Sequence, residues 1–251
     1  MKNKPLIHTI RILLLFSLLL LWEYLSRKNI INPFIFSSPS KIFKCITNLY
    51  RENNLLNHVY ITFKETLVAF ILSITIALFT GILFYEVNIL YKIFDPFLTL
   101  FNSMPKVALG PLIIIIFGAR STSIIIMALS ITLILNIIQI YNSFISTDKY
   151  LEKLLTIYNA KRIDKLRYLV IPSALITIVN SLKINISMTL IGVIMGEFLV
   201  SKEGIGYLIV YGSQVFNLTL VLSGIILLII ISFILYLIVS LLESKIKRSY
   251  Y

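Results

Sequence analysis

Cysteine is almost absent: Cys45 stands alone among the 251 residues, so no intrachain disulfide can form. The only histidines, His8 and His58, cannot build a Cys/His cluster, and no metal site or redox cofactor is implied. Acids are scarce too, with 11 Asp and Glu against 23 Lys and Arg, a formal net charge of +12. No paired-carboxylate or Ser/His/Asp arrangement is visible, which argues against an intramembrane enzyme. No G-x-x-x-x-G-K-[ST] run occurs either, so the chain has no phosphate-cradling loop of that type and cannot use ATP by that route. The basic excess could suit nucleic acid, but the cations sit between apolar runs with no soluble fold to carry them. Anionic lipid is the expected counterpart, and no nucleic acid.

What the chain has in abundance is apolar surface. It is 58% hydrophobic and 14% charged, with mean hydropathy +0.94, where soluble domains are about 45–50% apolar. Lipid is its expected solvent. Residues 1–251 are read as a single transmembrane domain of about six helical spans, at about 20 residues per span. An all-α membrane fold follows, with spans at about 10–25, 66–85, 93–117, 122–141, 175–199 and 219–242. The first resembles a signal sequence, but Glu23-Tyr24-Leu25-Ser26-Arg27-Lys28 offers no small-x-small cleavage site, so an uncleaved span is expected. The third is the least regular. Pro96, Pro105 and Pro111 each remove a backbone donor and favour a bend, which lipid tolerates only beside protein or water.

Basic residues set the orientation. With both termini cytoplasmic, the inner side holds Lys2, Lys4, Arg11, Lys92, the basic loop around Lys149–Arg167, and Lys245, Lys247 and Arg248. That is about 13 cations inside against about 8 outside. The first outer loop, 26–65, runs against the rule with Arg27, Lys28, Lys41, Lys44, Arg51 and Lys64. Within it, Ile42, Phe43, Ile46 and Leu49 stand at helical spacing and suggest an interfacial helix.

The connection 147–173 is too polar to span and too patterned to be slack. Asp148 suits the N-cap of a first short helix, whose Leu151, Leu154, Leu155 and Tyr158 share one apolar face. Asn159 tolerates a left-handed backbone and marks a turn. Ile163, Leu166, Leu169 and Val170 form a second apolar face opposite Lys161, Arg162, Lys165 and Arg167, with Pro172 expected to end that helix. On periodicity alone, an amphipathic helix on the inner leaflet and a partner-docking element fit equally well.

The spacing resembles the loop of prokaryotic ABC importer permeases, whose pattern is Glu-Ala-Ala, three residues, Gly, nine residues, Ile, one residue, Leu-Pro. Lys153-Leu154-Leu155 occupies the Glu-Ala-Ala positions beside Glu152, Asn159 the glycine before Ala160, Leu169 the isoleucine, and Ile171-Pro172 the closing pair. Lys153 reverses the charge of the family's acid. Met104-Pro105-Lys106-Val107-Ala108-Leu109-Gly110-Pro111-Leu112, Phe117-Gly118, Ser37-Ser38-Pro39-Ser40 and Glu203-Gly204-Ile205-Gly206-Tyr207 are similar to permeases of the nitrate, sulfonate and taurine group. The resemblance implies a non-catalytic subunit of the prokaryotic cytoplasmic membrane that imports a small anionic solute. It implies as partners a separate ABC ATPase carrying ATP and Mg, an extracytoplasmic binding protein, and a second permease copy forming a homodimer. Residues 147–173 would then be the loop that couples to the ATPase. An ion-gradient-driven secondary transporter is the alternative, though no repeat is evident.

Inside the spans, Pro105, Lys106, Pro111, Lys183 and Glu197 are candidates for a pathway or gate. For Lys183 the competing expectation is snorkelling to the cytoplasmic interface, and for Glu197 a structural ion pair or a surface position. Asn136 and Gln139 are expected to hydrogen-bond between helices. Gly192 and Gly196 form a G-x-x-x-G step suited to close helix packing.

Overall fold

The computed structural model describes residues 4–52 and 54–250, and Lys2 of the expected inner cluster lies outside the described residues. Every regular element among them is helical. In chain order the α-helices are α1 (Lys4–Arg27), α2 (Pro33–Phe36), α3 (Pro39–Glu52), α4 (Leu55–Glu86), α5 (Asn88–Ser103) and α6 (Gly110–Phe117). They continue as α7 (Ser121–Ile145), α8 (Lys149–Ile157), α9 (Arg162–Lys165), α10 (Ile171–Val200), α11 (Ile205–Gln214) and α12 (Leu218–Tyr250). Among the described residues, five helices are long and apolar enough to cross a membrane, or six if the bent pair α5 and α6 is one span.

That pair replaces the single expected span 93–117. It turns through 90° between Asn88–Ser103 and Lys106–Phe117, with a single 3₁₀ turn at Lys106–Leu109. Pro105 sits at the break, Pro111 in the first turn of α6, where a missing N–H costs nothing, and Pro96 is carried inside α5.

The chain divides into two compact units. In the unit formed by Met1–Tyr60 and Glu203–Ile229, α1 and α3 are joined through Glu23. Its carboxylate accepts from Ser40 N–H at 3.0 Å and from the Ser40 hydroxyl at 2.8 Å, placing an anion at the amide end of α3. Nearby, the Ser26 hydroxyl donates to Ser37 C=O at 2.6 Å. Ile42 and Leu49 of α3 are buried while Phe43 is exposed, so the amphipathic helix is divided between a packed face and an outward one. His58 Nδ1 accepts from Gly204 N–H at 3.0 Å, and its ring stacks on Tyr207.

The other unit, Ile61–Lys202 with Ile230–Tyr251, is built on α7 against α10. Gly192 and Gly196 face α7 so closely that an added Cβ would lie 2.6 Å from Ala128 Cα and 2.9 Å from Ile124 Cα. Small residues let the backbones meet, and van der Waals contact drives the association in lipid. A buried cluster of Ala77, Phe84, Ile140, Tyr141 and Phe144 joins α4 to α7 and takes in Leu166, Val170 and Ala174 from the start of the α10 segment. Asn136 Nδ2 donates to the Ser73 hydroxyl at 2.8 Å, tying α7 to α4.

Pro172 does not end a helix. The segment runs without interruption from Arg162 to Val200, because a π-turn at Leu166–Val170 precedes the proline. Widening the helix there accommodates the ring and the missing donor that would break a regular α-turn. The same insertion shifts the register. Leu166, Leu169 and Val170 are buried, whereas Ile163, expected on their face, is exposed.

Candidate functional site

The 147–173 connection has two differently anchored halves. Asp148 is the N-cap of α8, its Oδ1 accepting from Tyr150 N–H at 2.8 Å, and Glu152 lies in the first turn, where a negative charge suits the exposed amides. At the other end Asn159 takes φ +56°. Asn159 N–H donates to Thr156 C=O at 3.0 Å and Ala160 N–H to Leu155 C=O at 3.0 Å, the paired bonds of a Schellman turn. Backbone carbonyls that a helix end leaves open are thus satisfied within the loop.

α8 itself is barely covered. Tyr150, Leu151, Leu154, Ile157 and Tyr158 are all exposed, Tyr158 at 76%, and Lys153 is exposed beside them. Across the turn, Lys165 Nζ donates back to the Thr156 hydroxyl of α8 at 2.8 Å, and the chain is then tied to the bundle. Arg162 donates to Tyr85 C=O at 2.8 Å and pairs with Glu86 Oε2 at 3.2 Å, a cation on the last carbonyls of α4. Leu166 and Val170 then enter the core. An exposed apolar helix is therefore linked through a short turn to a segment that contacts the end of α4 and packs into the core with α4 and α7.

One turn before Asp148, the end of α7 forms the wall of a cavity of about 500 Å³, lined by Asn102, Gln139, Asn142, Ser146, Thr177 and Ile184 among others. Gln139, Asn142, Ser143 and Ser146 stand at i, i+3, i+4 and i+7, a polar stripe on an apolar helix. Gln139 Oε1 accepts from Asn185 Nδ2 at 3.4 Å, while the buried Asn185 Oδ1 has no partner.

The pathway candidates separate. Lys183 pairs with Glu243 Oε2 at 2.6 Å and lies 5.3 Å from the Tyr236 ring centroid, joining α10 to α12. Glu197 is 1% exposed and accepts from the Thr62 hydroxyl at 2.6 Å, joining α10 to α4. Neither lines the cavity. Lys106 Nζ donates to Asn102 C=O at 2.8 Å and lies 3.4 Å from Asn102 Oδ1, at the broken third segment. Pro105 and Pro111 frame that break. The Asn142–Ser146 wall lies beyond the expected fourth span, which ends at Tyr141, whereas α7 continues to Ile145. The i, i+3, i+4, i+7 polar spacing was the available signal.

Comparison with known proteins places the chain in a family. Residues 73–248, more than half of the chain, match the binding-protein-dependent transport system inner membrane component. A probable ABC transporter permease protein of Haemophilus influenzae is 25% identical over 220 residues, covering 87% of this chain and 89% of that protein. The putative aliphatic sulfonates transport permease protein SsuC of Bacillus subtilis is 24% identical over 230 residues, covering 91% and 83%. In fold the chain is similar to a chain of the methionine ABC transporter MetNI in an inward-facing conformation, with TM-score 0.64 at 20% identity over 78% of this chain and 96% of that one. The chain belongs to the binding-protein-dependent transport inner-membrane component family, as a multi-pass permease subunit of an ABC importer and a transport component, not a catalyst.

Proposed function

We propose that this permease couples a separate ATPase to solute import through α8, in a complex with an extracytoplasmic binding protein and a second copy of itself. ATP and Mg belong to the ATPase. The observation that carries the reading is the uncovered apolar face of α8, joined by Asn159 and Arg162 to a segment embedded in the bundle. A cleft on the ATPase that receives this face would move α8, and the Arg162 contacts would pass the movement to α4. A short rigid lever of this kind turns partner motion into a change of access. Because Ser146 lines the cavity and Asp148 caps α8, the cavity wall lies in the direct path of that displacement.

In this reading residues 147–173 and both termini face the cytoplasm of a prokaryotic cell, where the densest basic loop meets anionic lipid and the ATPase. The solute is small and anionic, sulfonate-like or nitrate-like. The name of the SsuC relative supports that class. With the family established, the ion-gradient alternative is set aside. Affinity purification of the full chain from its native membranes tests the assembly: an ABC ATPase in the eluate is the expected result, and its consistent absence would contradict the reading.

A further inference from the structure

The proposed import of an anion is favoured by a positive group along the passage, and Lys183, the obvious intramembrane cation, is committed to Glu243 and Tyr236. The cavity lining contains amides, hydroxyls and aliphatic groups, with no ionisable side chain among its described residues. Its volume, about 500 Å³, lies in the range of about 300–1,000 Å³ that holds small ligands.

One ammonium lies in contact with a lining residue, though Lys106 itself is not part of the lining. Asn102 is the α5 residue lining the cavity, and Lys106 Nζ contacts it twice, at the backbone oxygen and, at 3.4 Å, at Oδ1. Two neighbouring facts give this lysine its character. The 90° break lifts it out of a regular helix. Among the described residues, the ion pairs join Glu23, Glu86 and Glu243 to Arg27, Arg162, Lys183 and Lys247, and Lys106 has no carboxylate within pairing distance. A cation in a membrane bundle without a fixed counter-charge is costly unless water or an anion meets it. The plainer role, a cation closing the last carbonyls of α5, accounts for the bond to Asn102 C=O, and the Lys106→Gln variant below separates the two roles.

We propose that Lys106 is the specificity-determining cation of the passage: it attracts the anionic group of the solute into the cavity, while the Asn102, Gln139, Asn142 and Ser146 side chains supply hydrogen bonds. This rests on the permease reading above, and it names the residue that selects the solute's charge.

The test reads electrostatics without needing transport or the natural solute. In membranes carrying the full complex, Cys45→Ser removes the native thiol and Asn142→Cys places one in the cavity. Modification rates are then measured with a sulfonate-bearing and a trimethylammonium-bearing methanethiosulfonate, each normalised to its reaction with a free thiol. The anionic reagent should be favoured by about fivefold or more, as expected for a partly screened unit charge nearby. Lys106→Arg should preserve that preference, and Lys106→Gln, which can still donate to the α5 carbonyl, should bring it to parity. Parity in the parent, a preference that survives Lys106→Gln, or no modification of the introduced thiol would each overturn the proposal. A failure here leaves docking of the ATPase on α8 untouched, and loss of ATPase docking leaves these rates readable.

Discussion

Arg162 reaches from the α8–α10 connection to Glu86 at the end of α4, Nε to Oε2 at 3.2 Å, while also donating to Tyr85 C=O. The pair is half exposed, so its contribution to stability is at most about 1 kcal/mol. Its consequence is mechanical. Arg162→Gln should lower ATP-driven uptake in proteoliposomes severalfold while the thermal midpoint in detergent stays close to that of the parent. Unchanged uptake would remove Arg162 from the coupling route.

Asn159 holds φ +56° in the turn that carries α8. Glycine adopts this conformation freely, whereas a β-branched residue meets a penalty of roughly 1–2 kcal/mol. Asn159→Gly should therefore retain uptake. Asn159→Val should loosen the turn, seen as faster trypsin cleavage at Lys153 and Lys161 in inside-out vesicles. Equal protection of the two variants would show that the turn is held by other contacts.

Much of this organisation was legible in the sequence, for identifiable reasons. Asp148 as a cap and Asn159 as a turn are local choices governed by side-chain hydrogen bonding and backbone sterics, and the structure has them at those positions. Long apolar runs marked α4, α7, α10 and α12 because burial in lipid leaves a strong compositional signal. Span ends were less readable. Asn142 and Ser143 lie beyond the expected span end at Tyr141, yet they continue α7, where they line a cavity. Pro172 looked like a terminator, since nothing in composition announces a π-turn. The Lys183–Glu243 pair joins residues far apart in sequence, and no periodicity reports such a meeting.

Gly192 lies where a methyl group would stand 2.6 Å from the Ala128 backbone. Gly192→Leu should force α10 away from α7, at an overpacking cost of about 1–3 kcal/mol or more. Fluorescence-detected size exclusion should show a broadened or aggregated peak, with Gly192→Ala less affected. A sharp parental profile for the leucine variant would show that the two helices are not in close contact there.

Lys183 and Glu243 form a pair whose members should behave non-additively. Glu243→Leu alone leaves the Lys183 charge without its carboxylate and should lower the thermal midpoint. Adding Lys183→Met should recover part of that loss. A double variant no better than the sum of the single ones would argue against a direct structural pair.

The central claim is that α8 seats an ATPase, and co-purification measures it most directly. Full-length chains carrying Leu154→Glu or Tyr158→Glu, both at exposed positions of the apolar face, are expressed in native membranes and purified by affinity. The expected result is loss of most of the co-eluting ABC ATPase, with the parental yield and size-exclusion profile of the permease retained. Full ATPase recovery with both variants would contradict the account.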